Sequence, residues 1–184
     1  MKTKPSTEYI LLGSLMDGPK HGYEIRQFMD ETLEATWFVG TSQLYLLLKK
    51  LEQSGLLKSS LRHQKSRPSK RIFSLTPLGQ STFAQWLNQP IKHVRDFRFE
   101  FLAKLFFFFH LSLKGGEKLI HSQIQEFERF QKSLREKIET ESRHYMRLVV
   151  GFKLATAEAR KNWLLKQAIP FINSIQKTKK SDIN

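Results

Sequence analysis

Six cations crowd one short stretch of this chain: Lys58, Arg62, Lys65, Arg67, Lys70 and Arg71. Between Glu52 and Asp96 there is no acidic residue at all. A solvated charged segment is ordinarily mixed in sign, so a single-signed one points to an anionic partner, and displacing counterions from phosphates is the chemistry such cations do well. Just before it lies "GTSQLYLLLKKLEQSGL", residues 40–56. Its small hydroxyls, Thr41 and Ser42, suit phosphate oxygens at a helix start, and Gln43 can offer a bidentate pair to adenine. Tyr45 and Lys49 fall on the same side, within reach of a backbone or a guanine edge. With Arg62, Lys65, Arg67 and Lys70 these are the candidate DNA-contacting residues.

Other chemistries find little support. The absence of cysteine removes disulfides, thiolate zinc and a cysteine nucleophile, and suits a reducing cytosol. His63, His93, His110, His121 and His144 are scattered without metal-ligand spacing. Gly115–Gly116 lacks the rest of any nucleotide loop, and no clustered carboxylates or nucleophile motif appear, so we expect neither an enzyme nor a metal or cofactor. His21 and Gly22 read as capping or packing residues, and Tyr23 as core. The net charge is +14 over 184 residues with a sequence pI of about 10.1, which favours nucleic acid or an acidic surface. The apolar run "FEFLAKLFFFFHLSL" is broken by Lys104 and His110 and is short of the ~20 residues a membrane span needs. With no signal peptide legible at the N-terminus, the expectation is a soluble, cytoplasmic protein.

Periodicity supplies the elements that must position those residues. A first helix is predicted over Thr7–Met16 and a second from about His21 to Glu34, burying Tyr23, Ile25, Phe28 and Met29. In the third, Leu44, Leu47, Leu48 and Leu51 recur at helical spacing, which turns Ser42, Tyr45, Leu46, Lys49, Lys50 and Gln53 outward. Gly55 is its stop. The period then changes: Leu56–Leu61 and Arg71–Leu75 are strands of a β-hairpin whose basic tip holds Pro68. Thr76 as N-cap and Pro77 at the first position open a fourth helix, and Asn88–Pro90 ends it. Helix, helix, helix, hairpin, helix is the order of a winged helix-turn-helix, whose third helix enters the major groove.

At this point "ILLGSLMDGPKHGYEI", "SQLYLLLKKLEQSGLL" and "RPSKRIFSLTPLGQ", taken in order, resemble the PadR-like transcriptional regulators. "NQPIKHVRDFRFEFLAKLFF" is similar to the start of the helical C-terminal domain in the longer, virulence-activator-like branch. The resemblance covers about the first 110 residues. It implies a dimeric winged-helix regulator that binds a double-stranded DNA operator, a repressor rather than an activator, with a small aromatic compound as effector. It also implies a backbone contact by Tyr45, and minor-groove or phosphate contacts by Lys65, Arg67, Ser69 and Lys70. Where the family often has a glycine at the wing tip, this chain has "QKSRPSK".

The expected architecture is therefore mainly α with a small β-hairpin wing: a winged helix-turn-helix over residues 1–89 and an all-α dimerisation and effector domain over 90–184. Ile120, Ile124, Phe127, Phe130 or Gln131, Leu134 and Ile138 alternate by three and four, which marks a helical seam. A second long helix from about Tyr145 carries Leu148, Phe152, Ala155, Ala159 and Trp163, and Pro170 should kink or end it. Ile124, Phe127, Leu134, Ile138, Phe152 and Trp163 are the candidate dimerisation residues, and the segment Arg95–Leu111 is the expected platform for these helices. The alternatives are a winged-helix protein-interaction module without specific DNA binding, which is of a different class, or a transcriptional activator.

Overall fold

In the computed structural model, residues 6–33, 39–64 and 67–174 are described, with side chains left undescribed at 6, 33, 62–64 and 67–70. Lys65 and the tail "KTKKSDIN" lie outside the described residues. The elements are α1 Ser6–Gly13, β1 Lys20–His21, α2 Gly22–Leu33, α3 Thr41–Gln53, β2 Leu57–Gln64, β3 Arg67–Leu75 and α4 Pro77–Leu87. After them come a 3-10 turn at Val94–Asp96, a π turn at Phe97–Phe101, α5 Leu102–His110, α6 Gly116–Thr140 and α7 His144–Trp163. The fold is mainly α with a three-stranded antiparallel sheet of order β1-β3-β2.

The chain forms two compact units: Met1–Asn88 with Leu102–Leu111, and Gln89–Phe101 with Ser112–Asn184. This differs from a division after residue 89 at Gln89 and in the stretch 102–111. The apolar run at 102–111 folds into the first unit instead of serving the long helices, because its aromatic face finds partners there. Phe107 packs on Phe83 edge-on at 5.2 Å between ring centroids and stacks on Phe28 at 6.4 Å. Phe97 and Phe101 behave as the expected platform: Phe101 stacks on Phe97, which lies in the second unit against Phe127 and Trp163.

In the first unit Ile10, Leu11, Leu12, Ile25, Met29, Leu44, Leu48 and Phe83 form the core. All four leucines of the α3 stripe are buried. Gly55, at φ +69°, takes the left-handed conformation that stops α3. Thr76 caps α4 by accepting from the Gly79 N–H at 3.0 Å, with Pro77 in the first turn. Its hydroxyl also donates to the Gly55 carbonyl at 2.7 Å, which ties the helix to the end of α3. In β2–β3, Leu57 faces Leu75 and Arg62 faces Lys70, with an irregularity between Arg62 and Gln64. Strand β1 was not expected; its two residues pair Lys20 with Phe73 and His21 with Ile72.

In the second unit α6 and α7 form an antiparallel hairpin joined through residues 141–143, with ion pairs Arg135–Glu158 and Lys161–Glu128 along it. Between Phe130 and Gln131 the buried stripe runs through Gln131, while Phe130 is half-buried. Gln123 clasps the entry strand: the Ile91 N–H donates to its Oε1 at 2.5 Å, and its Nε2 donates to the Ile91 carbonyl at 3.1 Å. Pro170 neither ends nor breaks the last helix. A π turn at Leu164–Ala168 precedes it, and helical structure continues to residue 174. The wider turn relaxes the clash of the proline ring with the carbonyl four residues earlier and leaves no α-type bond for its missing N–H to break.

Candidate nucleic-acid interface

The α3 face is built as its period requires. Thr41, Ser42, Gln43, Tyr45, Leu46, Lys49, Lys50 and Gln53 are exposed on one side of the helix. Gly40 precedes it without a side-chain cap, so the first-turn amides are not covered by a capping group. Thr41 is partly committed, since its Oγ1 accepts from Arg26 Nη1 at 2.8 Å. Lys49 has no ion-pair partner among the described residues. Leu46 stays 66% exposed, an apolar side chain in the middle of this face.

Two cations of α3 and the hairpin have other work. Lys50 Nζ lies 2.7 Å from Glu8 Oε1, whose side chain is almost fully buried, so this lysine ties α3 to α1. Arg71 Nη2 lies 2.5 Å from Glu52 Oε2 and its Nε donates to the Ser59 hydroxyl at 2.8 Å. The Ser59 hydroxyl, with Arg71 beside it, holds the Glu52 carboxyl below the usual glutamate range. Arg62, Arg67 and Lys70 have their backbones on the hairpin strands.

Tyr23, expected in the core, is 72% exposed. It lies with His21, Gly22, Tyr45 and Arg71 around a surface cavity of about 570 Å³. Helical geometry accounts for this: Tyr23 is two residues before buried Ile25 and so turns to the opposite side, while Phe28 and Met29 share the buried side. The signal was present in the spacing and was outweighed by the apolar ring.

Of the residues expected at a dimer contact, Ile124, Phe127 and Leu134 are buried within the second unit and Ile138 is half-buried. Phe152 is 73% exposed and Trp163 partly so. Phe152 belongs to an outward stripe on α7 with Tyr145, Leu148, Ala155 and Ala159. Among the described residues, no group of three metal-ligating side chains is gathered, and no helix is long and apolar enough to cross a membrane.

A third helix presenting an uncapped first turn, beside an antiparallel hairpin and a closing helix, defines a winged helix-turn-helix protein. Residues 11–85 match the model of the transcriptional regulator PadR-like family. Over this segment, under half of its length, the chain is similar to that family.

Two curated relatives are similar. The negative transcriptional regulator PadR of Bacillus subtilis is 33% identical over 121 residues, covering 64% of this chain and 65% of that protein. The probable transcriptional regulator Rv1176c of Mycobacterium tuberculosis is 24% identical over 90 residues, covering 49% of this chain and 48% of that protein. The chain thus spans under two thirds of either relative. Both are regulators, not enzymes. A crystal structure of Bacillus subtilis PadR in complex with operator DNA covers 89% of this chain and 96% of its own, at 26% identity and a TM-score of 0.46.

Proposed function

We propose that the protein is a sequence-specific DNA-binding transcriptional regulator that works as a homodimer in the cytoplasm and represses its target. The observation that carries this reading is the α3 face: exposed Ser42, Gln43, Tyr45 and unpaired Lys49, on a helix whose first turn has no cap. Such a surface combines base-reading and phosphate-binding groups, and the adjoining hairpin adds Arg62, Lys65, Arg67 and Lys70 without one acid. Repression is supported by the name of the relative at 33% identity, a negative regulator. Residues 1–89 would carry DNA binding, and residues 90–184 dimerisation and response.

Dimerisation is supported by the outward α7 stripe. Tyr145, Leu148, Phe152, Ala155 and Ala159 repeat by three and four and are all exposed. A two-fold dimer reads two half-sites at a fixed spacing, which one winged helix with few base contacts needs. The buried part of the expected set, Ile124, Phe127 and Leu134, would act indirectly by holding α7. A small aromatic effector is the regulatory part of the proposal, supported by the ring cluster of Phe97, Phe101, Phe127 and Trp163 in the second unit. It would release DNA only by favouring one state of the dimer over another.

Fluorescence anisotropy against DNA from upstream of its own gene, beside a scrambled duplex at several salt concentrations, tests this. A preference of about 10³ or more at near-physiological salt is expected. Equal, weak and steeply salt-dependent binding to both duplexes would favour the protein-interaction module instead. Release of the DNA on adding small aromatic acids would identify the effector class.

A further inference from the structure

Five leucines lie on α3, and only four of them serve its buried stripe: Leu44, Leu47, Leu48 and Leu51. Leu46 is the fifth and points to the other side, 66% exposed. On a helix the side-chain neighbours of a residue are those three and four positions away. For Leu46 on the outer face these are Ser42, Gln43, Lys49 and Lys50, all polar and all exposed. A single exposed leucine is ordinary on a protein surface and by itself asks for no explanation. This one stands at the centre of a face whose other members are hydrogen-bonding and cationic groups, so its place rather than its exposure carries the argument.

The side chains around it narrow what it can meet. Lys50 is drawn towards α1 by Glu8 at 2.7 Å. Tyr45 leans the other way, towards α2, where a Cβ added to Gly22 would sit 2.7 Å from its ring. Gln43, Leu46 and Lys49 then form a row at intervals of three residues between these two, and neither Gln43 nor Lys49 has a hydrogen-bond or ion-pair partner among the described residues. Leucine can neither donate nor accept a hydrogen bond, and pressed against a polar base edge it would leave that edge unpaired. The major groove offers one apolar group on its base edges, the C5-methyl of thymine. Three residues of helix rise about 4.5 Å, against about 3.4 Å between base pairs, so Gln43 and Leu46 reach pairs roughly one step apart.

We propose that Leu46 is a specificity-determining residue that reads the C5-methyl group of a thymine in the major groove, about one base-pair step from the adenine paired with Gln43. The inference rests on the DNA-binding reading and deepens it by naming a base and the atom group that is read. It also has a signature that no phosphate contact shares. Removing a cation lowers the salt dependence of binding on any duplex, whereas removing a methyl contact weakens binding at one base and leaves the salt slope alone.

The test starts from the tightest duplex that the full chain selects out of a randomised library. Each thymine of that duplex is replaced in turn by deoxyuridine, which lacks only the methyl group, and binding is followed by anisotropy. At one thymine of each half-site the replacement should weaken binding about fourfold, the factor for one methyl-sized group withdrawn from apolar contact. Leu46→Ala should bind the thymine and deoxyuridine duplexes equally at that position, with an unchanged salt slope and an unchanged melting temperature. Leu46→Gln should select a different base there. If the unaltered protein selects no sequence, the DNA-reading proposal fails and takes this inference with it. If it selects one, and either no thymine methyl is sensed or Leu46→Ala senses it as strongly as before, this inference alone is overturned. A lowered melting temperature of Leu46→Ala with unaltered DNA binding also overturns it, in favour of a packing role within the protein.

Discussion

Lys49 and Lys50 are neighbours on the exposed side of α3, and replacing each by methionine should give opposite phenotypes. Lys50 is bonded to Glu8, whose side chain is 2% exposed while that of Lys50 is 56% exposed. Methionine keeps most of the aliphatic stem, so the change isolates the charge. Breaking a fully buried ion pair costs about 3–5 kcal/mol, because the remaining charge is left without compensation. Water already reaches the lysine here, so we discount this to about 1–3 kcal/mol. For a chain of this size that is a fall of roughly 2–12 °C in melting temperature. Lys49→Met should leave melting unchanged and lower the salt slope of DNA binding by about 0.9 for each phosphate it no longer neutralises. Thermal unfolding followed by circular dichroism, and anisotropy over a salt series, measure the two effects separately. A cycle with Glu8→Gln should show that Lys50→Met costs less once the carboxylate is gone. If Lys50→Met melted like the unaltered protein and also lowered the slope, Lys50 would be a DNA-binding residue and the pairing with Glu8 would have no consequence for stability.

At the start of α4, a Cβ on Gly79 would sit 2.1 Å from the Leu56 carbonyl oxygen, so Gly79→Ala should cost about 1–3 kcal/mol or more and lower the urea midpoint. Gln123→Met leaves the buried N–H and C=O of Ile91 unpaired, at about 1–3 kcal/mol each, and should lower stability to urea by about 2–6 kcal/mol. In the proposed homodimer, Phe152→Glu and Leu148→Glu, both on exposed positions, should halve the mass in sedimentation; a dimer of unchanged mass would mean that the α7 stripe is not its interface. The Arg143 hydrogen bonds hold the Glu141 carboxyl down to about 2. A depressed folded value means that their stabilisation is complete above the ordinary glutamate value of 4.5 and is lost as pH falls from there towards 2. A carboxyl NMR titration should show Arg143→Met returning Glu141 towards its ordinary range.

The parts of the fold that were legible are those written in local chemistry. Thr76, Pro77 and Gly55 mark helix ends through hydrogen bonds and φ angles that involve near neighbours, and the α3 stripe is a repeat within one helix. The parts that were not legible depend on partners far along the chain. Nothing near Lys50 announces Glu8, 42 residues earlier. The apolar run from Phe97 to His110 reads as one block, yet Phe97 packs on Phe127 while Phe107 packs on Phe83, and spacing alone cannot say which aromatic surface claims each turn. For β1, two residues are too few to carry any period. Tyr23 is a different case, because its spacing from Ile25 already turned it outward and only its apolar character argued otherwise.

The count of 31 lysines and arginines overstates the electrostatic footprint of the interface. Lys20 is bonded to Asp17, Arg26 to Asp30, Lys50 to Glu8 and Arg71 to Glu52, and a cation already neutralised by a carboxylate contributes little to counterion release. The other basic residues of α3 and the hairpin are, by sequence, Lys49, Lys58, Arg62, Lys65, Arg67 and Lys70, in a stretch where no acid follows Glu52 until Asp96. Even if all of these met phosphates, the salt slope would be about −5 for each protomer. A measured slope near that value would place the binding charge on this one face. A slope twice as steep for each protomer would need cations beyond α3 and the wing, and would count against the interface drawn from Ser42 to Arg71.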